Sequence, residues 1–407
     1  MEQHRLQQTD DLSLTVEVID TYADFERLRP IWDALEARDP EANLFLSWRW
    51  MAEAFRDNRY RWSVCVATES GAPGRALAIL PLKYRLHWSS SRQEFQTEIE
   101  AGGRLIWSEY TGFLCDPHFE KAALSAIAGK LAAMPWVRLS MRYVAQERRS
   151  RLFTEAFDSE KFSSRFRGYL INGKQTNNLL CPQVDLPEDF DVYLRTQIST
   201  NRRQQYKRFK RNHLDTGEYH IRLADDSSVE ADLTALLDFW TAKWSESKGM
   251  AQAKRVAANY RDVLSAAHRI GALHLPVLYR GDTPLGALGH VVDRSTGLMH
   301  FIVAGRDEAA SEPFIGAALH FSAIEWAIGE GLICYDFCHG NEAYKYSYGA
   351  QDLEVKYFEV RRSSPEDDMV LDSISVGAAM KRVATFLERG EAEKATRACN
   401  QIADLFS

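Results

Sequence analysis

The spacing of apolar residues changes repeatedly along the chain, and each change marks a new element. "LTVEVID" at 14–20 alternates apolar and polar side chains and reads as a strand. Phe25, Leu28, Ile31 and Leu35 then recur three and four residues apart, predicting a helix over 22–38. "NLFLSWRWMAEAFRDN" predicts a second helix that starts at Ser47, whose hydroxyl can cap the first turn. "WSVCVATE" and "RALAILPLKYRLH" read as neighbouring strands joined by a Gly/Pro-containing turn. Residues 119–133 form an amphipathic helix, and "WVRLSMRYV" a strand. The alternation predicts a sheet flanked by helices.

In "INGKQTNNLLCPQVDLPEDF", residues 171–190, two prolines and a polar cluster interrupt the periodicity. This stretch is expected to cross between two domains, and "NNLLCPQVDL" within it can serve as an edge strand. The second half then repeats the style of the first. Helix 191–212 precedes the strand "YHIRLAD", and helices 230–247 and 256–269 follow. Next come "LHLPVLYRG", "PLGALGHVVD" and "GLMHFIVAG", with hairpin turns at "RGDTP" and "DRSTG". Helix 314–329, the strand "ICYDF", a helical turn over 341–348 and the strand "VKYFEV" complete the pattern. The expected division is 1–180, 181–362 and a helical appendage over 363–407. No residue-level repeat relates the halves.

A length of 407 residues suits two domains, and the 45% apolar content supplies their cores without disulfides or metal. The formal net charge of -7 argues against a general nucleic-acid binder. Six scattered cysteines suit a reducing compartment. The N-terminus lacks a long apolar core and no uncharged apolar run approaches membrane-spanning length. A cytoplasmic protein with no signal peptide and no membrane span is therefore expected. Cys334, Cys338 and His339 raise the question of zinc. Their C-x3-C-H spacing has no second ligand cluster nearby, so no metal is expected.

Three segments carry a family resemblance. Phe45, Ser47 and Trp50 match an F-x-S-x-x-W pattern. "STNRRQQYKRFKRNHL" is a basic helix leading into the second half. In "YDFCHGNEAYKYSYG", Tyr335, Asp336, Phe337, Gly340, Tyr344, Lys345 and Gly349 match Y-D-F-x-x-G-x-x-x-Y-K and its following glycine. Together with "EPFIGAALHFSAIEWAIGEGL", these resemble the CelD-like acetyltransferases of cellulose biosynthesis, over roughly residues 15–360. That family has the GCN5-related N-acetyltransferase fold and is related to FemAB-type aminoacyl transferases. The resemblance implies an α/β (α+β) chain of tandem acetyltransferase-like domains, each a mixed, mostly antiparallel sheet flanked by helices. It implies transfer of an acyl group from acetyl-CoA, or another acyl-CoA, to an amine of a small-molecule or saccharide acceptor. It also implies peripheral contact with envelope polysaccharide machinery. Two alternatives stand beside it: a FemAB-like transferase using aminoacyl-tRNA, and a non-catalytic accessory protein of exopolysaccharide production. The usual pyrophosphate loop, Q/R-x-x-G-x-G/A, is not reproduced, because Arg306 and the pair Gly316–Ala317 stand too far apart.

The residues themselves suggest roles. "AASEPFIGAAL" joins a strand to a helix, where unpaired amides and the helix dipole favour an anion. Pro313 suits a first helical turn, and Gly316 lets a pyrophosphate approach the backbone. Arg306, Phe314, Ile315, Gly316 and Ala317 form the expected donor-binding segment. Arg202, Arg203, Lys207, Arg208, Lys210 and Arg211 crowd one short stretch. Of these, Arg203, Lys207, Lys210 and Arg211 lie near one helical face, which can grip phosphates of CoA or tRNA, meet anionic lipid, or stay solvated. Tyr206 and Phe209 face the core. "ICYDF" is expected to deliver Asp336 to a cleft rim, as a base, an amine anchor or a structural carboxylate. Tyr344 can donate to the leaving sulfur, and Lys345 can neutralise an anionic group. His290 and His300 fall on neighbouring strands, where one can serve as a base or both can be packed. Trp50, Trp240 and Trp244 can wall an acceptor cleft or fill cores.

Overall fold

The computed structural model describes residues 13–406 except 57, 59 and 311. The reading of the extreme N-terminus thus lies mostly outside the described residues. The first strands are β1 (Leu14–Ile19), β2 (Trp62–Glu69), β3 (Ala72–Ser89), β4 (Glu94–Ala101) and β5 (Leu114–Cys115). Helices α1 (Tyr22–Arg27), α2 (Arg29–Glu36) and α3 (Trp48–Phe55) lie between β1 and β2. The single helix expected over 22–38 divides at Leu28, with Pro30 in the first turn of α2. Ser47 caps α3 and accepts the Trp50 amide. After β5 come α4 (Glu120–Ala132), β6 (Arg138–Val144), α5 (Glu147–Glu155) and β7 (Phe162–Phe166).

Past Gly168 the chain builds a second compact unit, Tyr169–Glu354. A small ribbon, β8 (Leu170–Ile171) with β9 (Thr176–Asn177), leads into β10 (Leu180–Asp185). The helix expected over 191–212 is two: α6 (Phe190–Thr196) and α7 (Thr200–Phe209). They divide because Ser199 turns to extended backbone and caps α7 through the Arg202 amide. After β11 (His220–Leu223) come the long helices α8 (Val229–Lys248) and α9 (Met250–Arg269). The meander β12 (Leu273–His274), β13 (Pro276–Arg280), β14 (Thr283–Asp293) and β15 (Leu298–Arg306) follows. Helix α10 (Ile315–Gly329), strand β16 (Cys334–Asp336), the single turn α11 (Ala343–Tyr346) and strand β17 (Gln351–Glu354) close the unit. Its sheet runs β11-β13-β14-β15-β16-β10-β17, with β12 on β14.

From Val355 the chain belongs to the first unit again. Strand β18 (Lys356–Arg362) inserts between β6 and β7, completing the order β1-β2-β3-β4-β6-β18-β7 with β5 on β3. The boundaries expected at 180/181 and 362/363 thus differ from the observed ones, because strand partners distant in sequence set them. The expected appendage, with α12 (Val376–Glu388) and α13 (Ala392–Asp404), packs on the first unit through Phe95, Leu371, Phe386 and Ala398. Gln401 holds both the N–H and the C=O of Phe95 at 2.7 and 2.9 Å.

Each sheet is mostly antiparallel with one parallel contact. In the first unit β4 pairs with β6 through residues 98–100 and 138–140. In the second, β15 pairs with β16 through 298–300 and 334–336. In both, a helix lies between the parallel partners in sequence, as a parallel crossover requires. Close approach sets one composition rule beside the second contact. A Cβ at Gly305 would stand 2.3 Å from the Leu236 carbonyl of α8, so only glycine lets β15 lie so near that helix. Among the described residues no helix is long and apolar enough to cross a membrane.

Candidate active site

The second unit contains a fork. β15 and β16 stay paired for three residues, ending at His300 opposite Asp336. Past that point β15 carries an extra residue: Gly289 faces Val303 and His290 faces Phe301, which leaves Ile302 as a bulge. A bulge turns local backbone groups out of the ladder and re-aims them. Phe301 and Phe337 are the first residues beyond the last parallel pair, and both are buried on the α10 side with Tyr335 and Met299.

Strand periodicity sorts the two expected histidines onto opposite faces. His300 stands opposite Val291, so it is offset by one from His290 and faces the other way. The two do not approach each other as a pair. His300 Nδ1 lies 3.0 Å from Asp336 Oδ2, and both residues are buried. Asp336 Oδ1 accepts the Cys338 amide at 2.7 Å. Asp336 is therefore not at a cleft rim. It ties β15 to β16 and shapes the turn that follows, where Cys338 adopts φ +52°.

The grouping of possible metal ligands among the described residues is His300, Asp336 and Cys338, with donor atoms within 4.8 Å of one another. It is not Cys334, Cys338 and His339. Zinc accepts such a donor set. Hydrogen bonds of Asp336 to His300 and to the Cys338 amide join the three residues. His339 Nδ1 instead lies 3.2 Å from Cys181 Sγ.

Lys345 is buried, unlike an ordinary lysine. Its ammonium donates to the carbonyls of His339 and Gly340, each at 2.8 Å, and pairs with Glu342 at 3.0 Å. It clamps the turn after β16, where Gly340 has φ +96°. Its neighbour Tyr344 is about 45% exposed as a residue, with its ring 6.2 Å from that of buried Phe337.

On the α10 face, His290 Nε2 and His320 Nδ1 each lie 2.8 Å from the Tyr335 hydroxyl. Burial pushes His290 down to about 3 and His320 well below its ordinary value. Below pH 6.5 the unfolded chain binds protons that these folded histidines refuse. The second unit is expected to lose stability as pH falls from 6.5 toward 3. The fall should be shallower in His290→Gln, measured by urea midpoints across that range.

Helix α10 begins near the end of β15. Its first turn contains no acidic residue and its N-cap makes no side-chain cap bond. Glu312 just ahead takes the Phe314 amide at 2.8 Å. A Cβ built on Gly316 meets no atom within 4 Å, so the helix start is open there. Ile315 is buried, while Phe314, Gly316 and Ala317 are half-buried. Arg306 holds the connecting loop, donating to Glu308 at 2.9 Å and to the Pro313 carbonyl at 3.4 Å.

Of the basic residues on α7, it is Arg202 that reaches this corner. Its guanidinium lies 5.3 Å from the Phe314 ring and 5.2 Å from that of Tyr348, whose hydroxyl accepts from it at 3.0 Å. Arg203 instead donates to the Leu194 carbonyl at 3.2 Å, and Lys207 is exposed. The expected single basic face ends at Lys210, where a wider helical turn (Lys210–Leu214) begins. Tyr206 and Phe209 are buried, as expected. Trp50 is a core residue of the first unit, its indole N–H donating to Ser108 at 2.8 Å. Trp240 is also buried, 6.3 Å from Trp244.

The corresponding helix of the first unit differs. α4 starts with Glu120, buried against Arg149 at 2.7 Å, so a carboxylate already stands at that helix start. Its parallel contact carries Glu98 and Arg138, paired at 2.6 Å.

A model of the acetyltransferase (GNAT) domain matches residues 200–346. This interval contains α7, the fork, the start of α10 and Lys345. No curated protein matches the chain. Among solved structures, FemX resembles it with a TM-score of 0.57 and 11% identity, covering 84% of this chain and 96% of FemX. A tandem GNAT protein from the clavulanic acid biosynthesis pathway gives 0.45 and 9%, covering 86% of this chain and all of that one. The C-terminal domain of a putative lysylphosphatidylglycerol synthetase from Agrobacterium fabrum gives 0.47 and 12%, covering 84% and 93%. The fold is thus mixed α/β and shared with FemX, with two helix-flanked sheets in tandem, and the acetyltransferase (GNAT) match lies in the second unit. The sequence had left His320 and Arg202 without assigned roles. Their only sequence signals are that His320 lies four residues past Gly316, and Arg202 four before Tyr206.

Proposed function

We propose that the second unit transfers an acyl group, acetyl in the simplest case, from a CoA thioester to the amino group of a small-molecule or saccharide acceptor. The observation that carries this reading is the fork: a three-residue parallel contact, a bulge at Ile302 on one arm, and a helix starting near that arm's end. Backbone groups freed by the bulge can bind an extended donor and stabilise the oxyanion that forms when the amine attacks. Pyrophosphate would lie at the start of α10, near Gly316 and Arg202. Tyr344 would donate its phenolic proton to the leaving sulfur, while Asp336 and His300 hold the strands and Lys345 holds the turn. The first unit, with Glu120 at its helix start, would shape the protein without holding a donor there.

Calorimetric titration with CoA and acetyl-CoA tests the reading. Micromolar binding is expected, weakened about tenfold or more by Gly316→Trp (about 1.4 kcal/mol). The open space at Gly316 should leave the melting temperature nearly unchanged. Absence of heat from the folded wild type would remove the CoA-thioester reading. The second reading, a tRNA-borne aminoacyl donor, is favoured by the exposed cations Lys207, Arg208, Lys210 and Arg211. It would then be tested by tRNA binding and its salt dependence.

A further inference from the structure

Hydrogen bonds among buried residues fix the proton positions in a chain that ends at the fork. His290 Nδ1 lies 3.1 Å from the His274 carbonyl. A carbonyl only accepts, so Nδ1 carries the hydrogen, and a neutral His290 has its lone pair at Nε2. The Tyr335 hydroxyl, 2.8 Å away, must donate to that lone pair. Its oxygen then accepts from His320 Nδ1–H, also at 2.8 Å. His320 is left with a lone pair at Nε2. His290, His320 and Tyr335 are all buried, and desolvation keeps both imidazoles neutral near pH 7. Among the described residues the only hydrogen bond of His320 is the one at Nδ1.

His320 also stands where the strands part. Its ring lies 4.8 Å from Phe301 and 5.2 Å from Phe337, the first residue past the parallel contact on each arm. The Tyr344 ring is 6.3 Å away, and that of Tyr348 is 5.2 Å away. Helix α10 places His320 one turn beyond Gly316, on the same side of the helix. Two successive hydrogen bonds set the tautomer of His320, whose ring stands at the junction of the two strands.

Resting on the acyl-transfer reading above, we propose that His320 Nε2 is the general base of the reaction, with Tyr335 and His290 as positioning residues that hold its tautomer. The amine nitrogen bonds to the thioester carbonyl carbon, and the carbon–sulfur bond breaks. The amine proton passes to Nε2 and then to water. The thiolate takes the Tyr344 proton, which water replaces. His290, expected from the sequence as a base, acts two hydrogen bonds behind the reacting nitrogen.

The test uses the full chain with 15N-labelled histidine, acetyl-CoA as donor and glucosamine as the probe amine. Long-range 1H–15N spectra should show Nδ1–H tautomers for His290 and His320 from pH 5 to 8. Acetyl-CoA should shift the His320 Nε2 resonance. His320→Asn keeps a donor near the place of Nδ1 and removes the lone pair. It should bind acetyl-CoA as the wild type does while releasing thiol roughly 100-fold more slowly. Tyr335→Phe should release the tautomer, so that an Nε2–H form of His320 appears in the same spectra. That change of tautomer separates positioning from lost packing, which would lower the rate and leave Nδ1–H in place. An Nε2–H tautomer at His320, or a His320→Asn rate within threefold of wild type, overturns the proposal. If wild type binds acetyl-CoA without acylating glucosamine, an Nε2 resonance unmoved by acetyl-CoA overturns it, and a moved one supports it. No acetyl-CoA binding by the folded wild type overturns the donor reading and this proposal together, an outcome calorimetry distinguishes from failure of His320 alone.

Discussion

Replacing Arg149 by methionine is expected to cost about 3–5 kcal/mol. Arg149 is fully buried. Its guanidinium meets Asp39 with two bonds, at 2.6 and 2.8 Å, and Glu120 with one at 2.7 Å. Asp39 in turn accepts the Cys115 amide at 2.9 Å, so the pair also anchors the short strand β5. Methionine keeps much of the volume and removes the charge, leaving buried Asp39 without its cation and Glu120 with only the exposed Arg148. That penalty exceeds the loss of the hydrogen bonds themselves, because desolvated charge is stabilised only by its partner. The first unit should melt roughly 10 °C lower. Removing all three charged groups together, with Asp39→Asn and Glu120→Gln in the same chain, should recover part of the loss. An Arg149→Met protein that melts within about 2 °C of wild type would show that water reaches this cluster.

Lys345→Met is expected to destabilise the second unit by about 3 kcal/mol, from the loss of charge-assisted hydrogen bonds to buried acceptors. The ammonium satisfies the carbonyls of His339 and Gly340 at 2.8 Å and Glu342 at 3.0 Å. Methionine reaches the same place and donates nothing. The turn between Asp336 and Tyr344 should then open. Its amides, that of Cys338 included, should exchange with solvent at least tenfold faster. A lysine whose main task is to contact a donor phosphate would behave oppositely. Its loss would weaken CoA binding and leave the melting temperature and amide exchange unchanged. The two readouts therefore separate clamp from ligand at a position that the sequence motif alone assigns to the substrate.

Much of the local structure was legible in the sequence because it depends on neighbours. Ser47 caps its helix as the pattern required, Tyr206 and Phe209 turn inward, and the second half's meander follows its hairpin turns. Breaks inside helices were harder to read. Leu28 and Ser199 end one helix and begin another within stretches whose periodicity alone looked continuous. The site was legible in part. The motif from Tyr335 to Gly349 singled out Asp336, Tyr344 and Lys345, which stand on β16 and in the single turn α11 after it. Their positions differ: Asp336 and Lys345 are buried in bonds of their own, and Tyr344 is exposed.

By itself the sequence determined the strand and helix types, the two-part organisation and the glycine at the start of α10. Apolar period, caps and turn residues act over a few positions, so they are written locally. Only the tertiary structure decided that β18 returns to the first sheet, and that His290 and His300 face opposite ways. It alone brought Arg202 rather than Arg203 to the helix start and His320 to Tyr335. Strand register and the meeting of distant side chains arise from burying the whole apolar surface at once. A one-residue shift in pairing exchanges the faces of a strand, and no local pattern around a single histidine records which register the core selects.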